Sequence, residues 1–245
     1  MKHIVLAAGY ATRLFPVTEN FPKPLLEVGG ITILDRLISD IDTFDEIDNH
    51  LIISNHRFFH CFEKWASDSH YKNEITLIDD GSTDNESRLG AVRDLLMAIE
   101  TKQLYDDDLL VNAADNIVNF SFRGFVDCFN EKKTSLIMTC YEPEIAALRR
   151  TGVITMDQDN KVLEMQEKPE NPTSHFAVPP FYIYKRSDIK YLRSSLSEGC
   201  KPDAPGNLVQ YMLNKTVFHA WLMTGKRYDI GTLETYYRLK DNSLL

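Results

Sequence analysis

Short apolar runs alternate with segments of helical period through the first two-thirds of this chain, and no other feature limits its fold as strongly. Ile4–Ala8 has the pattern of a buried strand, apolar and closed by Gly9. Ile33, Leu34, Leu37, Ile38, Ile41 and Phe44 then recur at helical spacing. Strand patterns at Leu51–Ser54, Ile75–Ile78, Leu109–Ala113 and Ser135–Tyr141 are separated by helical patterns at His56–Ala66, Leu89–Thr101 and Phe122–Asn130. The turn-rich run Asp79-Asp80-Gly81-Ser82 ends the third strand. Strands apolar on both faces need cover on both faces. The order therefore predicts an α/β protein with a mostly parallel sheet and helices on both sides.

Beyond residue 140 the rhythm changes. Gly152–Met156, Lys161–Gln166 and Phe181–Tyr184 read as strands without long helices between them, and Asp157–Asn160 suits a hairpin turn joining the first two. Helices near Asp188–Leu196 and Leu208–Asn214, a strand at about Val217–Met223 and a last helix Leu233–Lys240 complete the pattern. The expectation is a single domain over residues 1–245. It has a Rossmann-like core over about residues 1–140, with a mixed, mostly parallel sheet, and a smaller lobe over about 141–245. No Pro/Gly/Ser linker divides the two parts.

Composition narrows the partners. Hydrophobic residues make up 43% of the chain, enough for a sizeable core, and the formal net charge is −9. An acidic chain lacks the basic face that nucleic acid or an anionic membrane requires, so neither partner is expected. A small phosphorylated ligand needs only a local basic cluster. Cys61, Cys128, Cys140 and Cys200 form no CxxC pair and stand near no His at metal-ligand spacing, which predicts reduced thiols. Ile4–Ala8 is too short for a signal segment or a membrane span, and Arg13 follows it closely. A cytoplasmic protein is expected.

Three groups of residues carry chemistry. In Leu6-Ala7-Ala8-Gly9-Tyr10-Ala11-Thr12-Arg13-Leu14-Phe15-Pro16, small residues past a first strand let backbone N–H groups approach a ligand, and Arg13 offers a planar fork of donors. Pro22 and Pro24 stiffen the backbone around Lys23. Taken alone this is a turn-rich loop with two solvated cations; it is neither a G-x-G-x-x-G fingerprint nor a Walker A loop. Asp115 lies just past the strand Leu109–Ala113, and Asp229 lies in Tyr228-Asp229-Ile230-Gly231-Thr232 near the chain end. Magnesium takes oxygen ligands from one or two carboxylates plus substrate phosphates, though each Asp alone reads more readily as a turn or cap residue. Asp106-Asp107-Asp108 precedes its strand and reads as a solvated turn.

The first two stretches together resemble the signature of the sugar-phosphate nucleotidyltransferase family, L-A-A-G-x-G-T-R-L-x-P followed by P-K-P-L-L. Ala11 departs from it, standing where the family usually has Gly. The resemblance implies a GT-A-like fold and a nucleoside triphosphate held by Leu6, Ala7, Ala8, Gly9, Gly90 and Asp115, with Gly90 in the segment Ser87–Val92 that opens the base-contacting helix. It implies Mg²⁺ on Asp115 and Asp229, the latter in a D-x-G-T motif, with Ala114-Asp115 replacing the usual Gly-Asp. In the smaller lobe, Gly152-Val153-Ile154 and Glu167-Lys168-Pro169 match a Gly-Val-Val/Ile strand and a Glu-Lys-Pro motif. By that likeness Gly152, Glu167, Lys168 and Val178 bind a phosphorylated small-molecule acceptor. Pro179 and Pro180 replace a Gly found in the family's acceptor segment.

The chemistry implied is attack of an acceptor phosphate oxygen on the α-phosphorus, with pyrophosphate leaving. Two anions must meet, so positioning and charge neutralisation carry the catalysis. Arg13 would hold the pyrophosphate, Lys23 the α-phosphate region and Lys168 the acceptor phosphate. The acceptor implied is a sugar 1-phosphate. A rival within the family is a cytidylyltransferase acting on phosphocholine or a phosphonate, in which Phe181, Tyr182, Trp221 and Tyr228 would cage an ammonium; such rings more often pack in cores. Two further rivals are a GT-A glycosyltransferase using a nucleotide sugar and a silent nucleotide-binding regulator. The base, the acceptor and a homo-oligomeric state stay open.

Overall fold

The computed structural model describes residues 1–241. Strand β1 (Lys2–Leu6) leads through two 3-10 turns, Thr12–Leu14 and Lys23–Leu25, into the hairpin of β2 (Glu27–Val28) and β3 (Ile31–Thr32). Helix α1 (Ile33–Ile41), β4 (Asn49–Ser54), α2 (Phe59–Asp68), β5 (Glu74–Asp79) and α3 (Ala91–Lys102) follow. Next come β6 (Leu109–Ala113), β7 (Asn116–Val118), α4 (Arg123–Lys132), β8 (Ser135–Tyr141) and α5 (Ile145–Leu148). Strands β9 (Gly152–Met156), β10 (Val162–Glu167), β11 (Phe176–Val178) and β12 (Phe181–Tyr184) precede α6 (Ile189–Ser195) and α7 (Pro205–Met212). The described chain ends with β13 (Phe218–Leu222), β14 (Arg227–Asp229) and α8 (Leu233–Asp241).

Two compact units form, each discontinuous in sequence. The first comprises Met1–Arg88, Ala113–Arg123 and the chain from Thr224 onward. Its strands β1, β4 and β5 pair in parallel, Ile4 beside Leu51 and Leu51 beside Thr76. Ile4, Val5, Leu51, Ile52 and Ile53 are all almost completely buried, as continuous apolar runs in a parallel sheet require. In the same unit β14 pairs antiparallel with β7, Asp229 beside Asn116. The second unit comprises Leu89–Asn112 and Gly124–Met223. There β9 pairs antiparallel with β10 and β11, β11 with β8, and β12 with both β8 and β6, while β13 runs parallel to β8. The class is α/β with mixed strand pairing.

Element edges differ from the periodic pattern where side chains redirect the backbone. The helical apolar run extends to Phe44, yet α1 stops at Ile41. Asp42 there accepts bonds from Lys72 N–H, Asn73 N–H and His50, which draws the chain into a turn, and Phe44 is buried from that turn. Helix α3 begins at Ala91 because Gly90 has φ 92°, outside the helical region. Helix α7 starts three residues ahead of its periodic stretch, on Pro205 at its first position, where a missing N–H is harmless. The short strands β7, β11 and β14 are too brief to show a period.

Candidate functional site

The loop after β1 is tied down at several points. Ala7 N–H donates to Ile53 C=O at 2.9 Å, and buried Asn55 donates from Nδ2 to Ala8 C=O at 3.0 Å. Leu6 C=O accepts from Ala114 N–H at 3.1 Å, which fixes the end of β1 beside Asp115. A side chain added at Gly9 would meet no protein atom within 4 Å, so that glycine leaves open space above the backbone and relieves no internal clash. Ala11 has φ 48° and ψ 41°, a left-handed conformation in which the family's glycine is free of strain. Thr18 Oγ1 donates to Ala11 C=O at 2.8 Å and holds this turn. Tyr10 is buried and its hydroxyl lies 3.1 Å from Ser82 Oγ, which also donates to buried Asp80.

Lys23 sits at the start of the second 3-10 turn between its two prolines and is 8% exposed. Its Nζ lies 3.2 Å from Asp115 Oδ2. Asn116 Nδ2 donates to the other Asp115 oxygen, and Arg227 in turn donates to Asn116 Oδ1 at 2.7 Å. Ile230 N–H donates to Asp115 C=O at 3.1 Å, so the segment carrying Asp229 is stitched to the one carrying Asp115. The Asp229 carboxyl is raised above its ordinary value, first by loss of water around it and second by the charge of Asp115. Lys23, Arg227 and Arg13 oppose the shift. The residue keeps a solvent-exposed face all the same. Arg13, Lys23, Asp115 and Asp229 thus lie within electrostatic reach of one another, in one unit.

A single apolar cluster explains why they gather. Leu14, Leu26, Val28, Ile33, Ile117, Ile230, Tyr236 and Leu239 pack together. Leu14 follows Arg13, Ile117 lies two residues past Asp115, and Ile230 follows Asp229. Burying these neighbours presents the charged groups beside them at the surface of the same cluster.

In the second unit, Gly152, Glu167, Lys168 and Val178 also come together. A Cβ on Gly152 would sit 3.3 Å from Val178 Cβ and 3.4 Å from Glu167 Oε2, and it would overlap Met165 Cε. The Glu167 side chain is 14% exposed. Burial raises its carboxyl above the ordinary range, against the pull of Lys168, whose Nζ is 3.6 Å from Oε1. Lys168 itself has φ 48° and an exposed side chain. Val178 is buried, and Thr151 Oγ1 donates to its C=O at 3.0 Å.

Gly90 has a structural requirement of its own. Besides its φ of 92°, an added Cβ would lie 2.7 Å from Pro202 C=O. The acidic run Asp106-Asp107-Asp108 is a turn ahead of β6, and Asp108 pairs with Arg186 at 2.8 Å. Phe181 and Tyr182 are core residues, and Trp221 packs on Phe125 with ring centroids 5.7 Å apart. Asn55, Thr18 and the Tyr10–Ser82–Asp80 chain escape a motif reading. Asn55 alone leaves a signal, as a polar residue directly after an apolar strand.

Asp115 and Asp229 suit a hard cation. They supply only oxygen, and the bond from Ile230 N–H to Asp115 C=O brings the segment carrying Asp229 beside the one carrying Asp115. Among the described residues no group of three or more His, Cys, Asp or Glu side chains could hold a metal alone. Two carboxylates supply part of the oxygen set that a hard divalent cation takes. Among the described residues no helix is long and apolar enough to cross a membrane.

The profile of the nucleotidyl transferase family matches residues 2–244. A glucose-1-phosphate adenylyltransferase from Fervidobacterium nodosum is 27% identical over 248 residues, covering 96% of this chain and 59% of that protein. The bifunctional protein GlmU of Methanococcus aeolicus is 33% identical over 194 residues, covering 79% of this chain and 42% of that protein. The chain therefore spans about half the length of these curated relatives. A crystal structure of a UDP-glucose pyrophosphorylase complexed with UDP-glucose superposes with a TM-score of 0.82 at 19% identity, covering 98% of this chain and 97% of the other.

Proposed function

The chain belongs to the nucleotidyl transferase family, and from that premise we propose that it transfers the nucleoside monophosphate of a nucleoside triphosphate to a sugar 1-phosphate, releasing pyrophosphate. The observation that carries this reading is the meeting of Arg13, Lys23, Asp115 and Asp229 at one place in the first unit. Two cations and two carboxylates in a cluster serve a polyphosphate with its metal ion better than they serve a neutral ligand.

In the reaction an acceptor phosphate oxygen forms a bond to the α-phosphorus while the bond from that phosphorus to the bridging oxygen of pyrophosphate breaks. The acceptor oxygen is already ionised near neutral pH, so no general base is needed. Leu6, Ala7 and Ala8, tied to Ala114, Ile53 and Asn55, hold the loop in place against the nucleotide, with the open space above Gly9 as the approach. Gly90 lies at the opening of α3, in the stretch assigned to the base. Arg13, exposed and forked, takes the growing charge of the leaving group. Lys23, held by its prolines and by Asp115, steadies the α-phosphate. Asp115 and Asp229 would hold Mg²⁺, which when bound supplies charge neutralisation between the two anions. In the second unit Lys168 supplies an exposed ammonium for the acceptor phosphate, and Glu167, Gly152 and Val178 line the sugar.

Two rivals lose ground. Phe181, Tyr182 and Trp221 are engaged in core packing, which leaves the ammonium cage of a phosphocholine enzyme without those walls. Family membership disfavours a glycosyltransferase. A pyrophosphate-release screen of ATP, CTP, GTP, UTP and dTTP against glucose 1-phosphate, other sugar phosphates and phosphocholine tests the proposal. Release with at least one sugar 1-phosphate, dependent on magnesium, is the expected result. Release with phosphocholine alone, or with no acceptor at all, overturns it.

A further inference from the structure

Two glycines from different elements close on the same carboxylate. Gly152 lies on β9 and Gly206 is the second residue of α7. A Cβ built on Gly206 would overlap Glu167 Oε2 and stand 2.6 Å from Met165 Cε. Gly206 is not at a positive φ, so its backbone conformation is open to any residue. Glycine loses more conformational freedom on folding than alanine would at such a position. The close approach of Glu167 and Met165 leaves no room for a side chain there. The two Glu167 oxygens are then differently placed: Oε1 is 3.6 Å from Lys168 Nζ, and Oε2 rests against the bare Cα of Gly206.

We propose that Gly206 is a positioning residue for the acceptor, forming with Gly152 a notch that holds the Glu167 carboxylate folded against α7 to receive hydroxyl donors from a polyhydroxy acceptor. The inference rests on the reading of Glu167 as an acceptor ligand. A carboxylate fixed in one rotamer by its surroundings accepts hydroxyl hydrogen bonds without first losing side-chain freedom. A methyl group at position 206 fills the notch and drives the carboxylate out of it.

The test measures KM for glucose 1-phosphate and for the nucleoside triphosphate in the full chain, by pyrophosphate release, for the wild type, Gly206→Ala, Glu167→Ala and the double variant. Gly206→Ala is expected to raise KM for glucose 1-phosphate about tenfold or more, leave KM for the nucleotide within about twofold, and add nothing in the Glu167→Ala background. Because a new methyl also presses on Met165, the same comparison is repeated with Met165→Val, which removes that contact and keeps the fold testable. An unchanged KM in Gly206→Ala, or an equal loss with and without Glu167, overturns the role of Gly206. If Glu167→Ala leaves KM for glucose 1-phosphate unchanged, the acceptor reading of Glu167 falls and the role of Gly206 with it.

Discussion

Lys23 and Asp115 stand 92 positions apart in the sequence, yet Lys23 Nζ lies 3.2 Å from Asp115 Oδ2. The lysine is almost fully buried and the aspartate only partly so, which makes the pair a fixed cation with a carboxylate still open to a second partner. Replacing Lys23 with Ala leaves the Asp115 carboxylate without that cation. Turnover is expected to fall by about a hundredfold or more. The melting temperature is expected to drop in metal-free buffer and to recover as Mg²⁺ is added. A melting temperature insensitive to both changes refutes the pairing.

Arg13 is expected to contribute through the leaving group. Arg13→Ala should reduce kcat by something on the order of a hundredfold, with the fold intact by circular dichroism. Full activity in this variant excludes the role.

Asp229→Asn removes one carboxylate from the pair that would hold the cation. The Mg²⁺ concentration giving half-maximal activity should rise by about tenfold or more. An unchanged magnesium titration counts against two carboxylates sharing the ion.

Ala11 occupies a left-handed conformation that costs an L-residue about 1–2 kcal/mol. Ala11→Gly relieves that strain but frees the unfolded chain, so a net gain of about 0.5 kcal/mol is expected by urea denaturation. Gly90→Ala should do the opposite. It combines an unfavourable φ with a clash on Pro202 C=O, and a loss of about 2–3 kcal/mol is expected even without nucleotide. Unaltered stability there would deny Gly90 its structural role.

Acid sensitivity should originate at a buried histidine pair outside the charged cluster. His3 and His50 are buried neighbours, with their Nδ1 atoms 2.8 Å apart, and His50 Nε2 lies 3.0 Å from Asp42 Oδ1. Neutral rings satisfy this chain if His3 donates to His50 and His50 donates to Asp42. Burial, and then the neighbouring His50, hold His3 well below the ordinary value of 6.5; burial likewise lowers His50, against the pull of Asp42. Below pH 6.5 the unfolded chain therefore binds protons that the folded chain refuses, and stability falls as the pH drops. Burial works to raise the Asp42 carboxyl, but bonds from Lys72 N–H, Asn73 N–H and His50 hold it below its ordinary value of 3.8, so a second loss follows in stronger acid. Urea midpoints at pH 7.5 and 5.5 should differ in the wild type, and the difference should shrink in His3→Leu, leaving the share of His50. A flat wild-type profile contradicts the linkage.

Much of the α/β class was legible in the order of apolar runs, because strands such as Ile4–Ala8 and Leu51–Ser54 are apolar on both faces and short. The edges were not. Asp42 ends α1 through partners thirty residues away, and Pro205 starts α7 ahead of its periodic stretch. The residues proposed for the acceptor were readable as motif residues, but Gly206 was not, since its mark is a steric contact with Glu167.

By itself the sequence determined which residues alternate between strand and helix, which loops carry Arg13, Lys23, Asp115 and Asp229, and how stiff the backbone is around Lys23. These are local properties, set by side-chain period and by proline and glycine geometry. Only the tertiary structure decided that the four charges share one place and that the Glu167 carboxylate rests between two glycines. Both depend on burying apolar neighbours from distant parts of the chain in common clusters, and nothing local encodes which distant neighbours will meet.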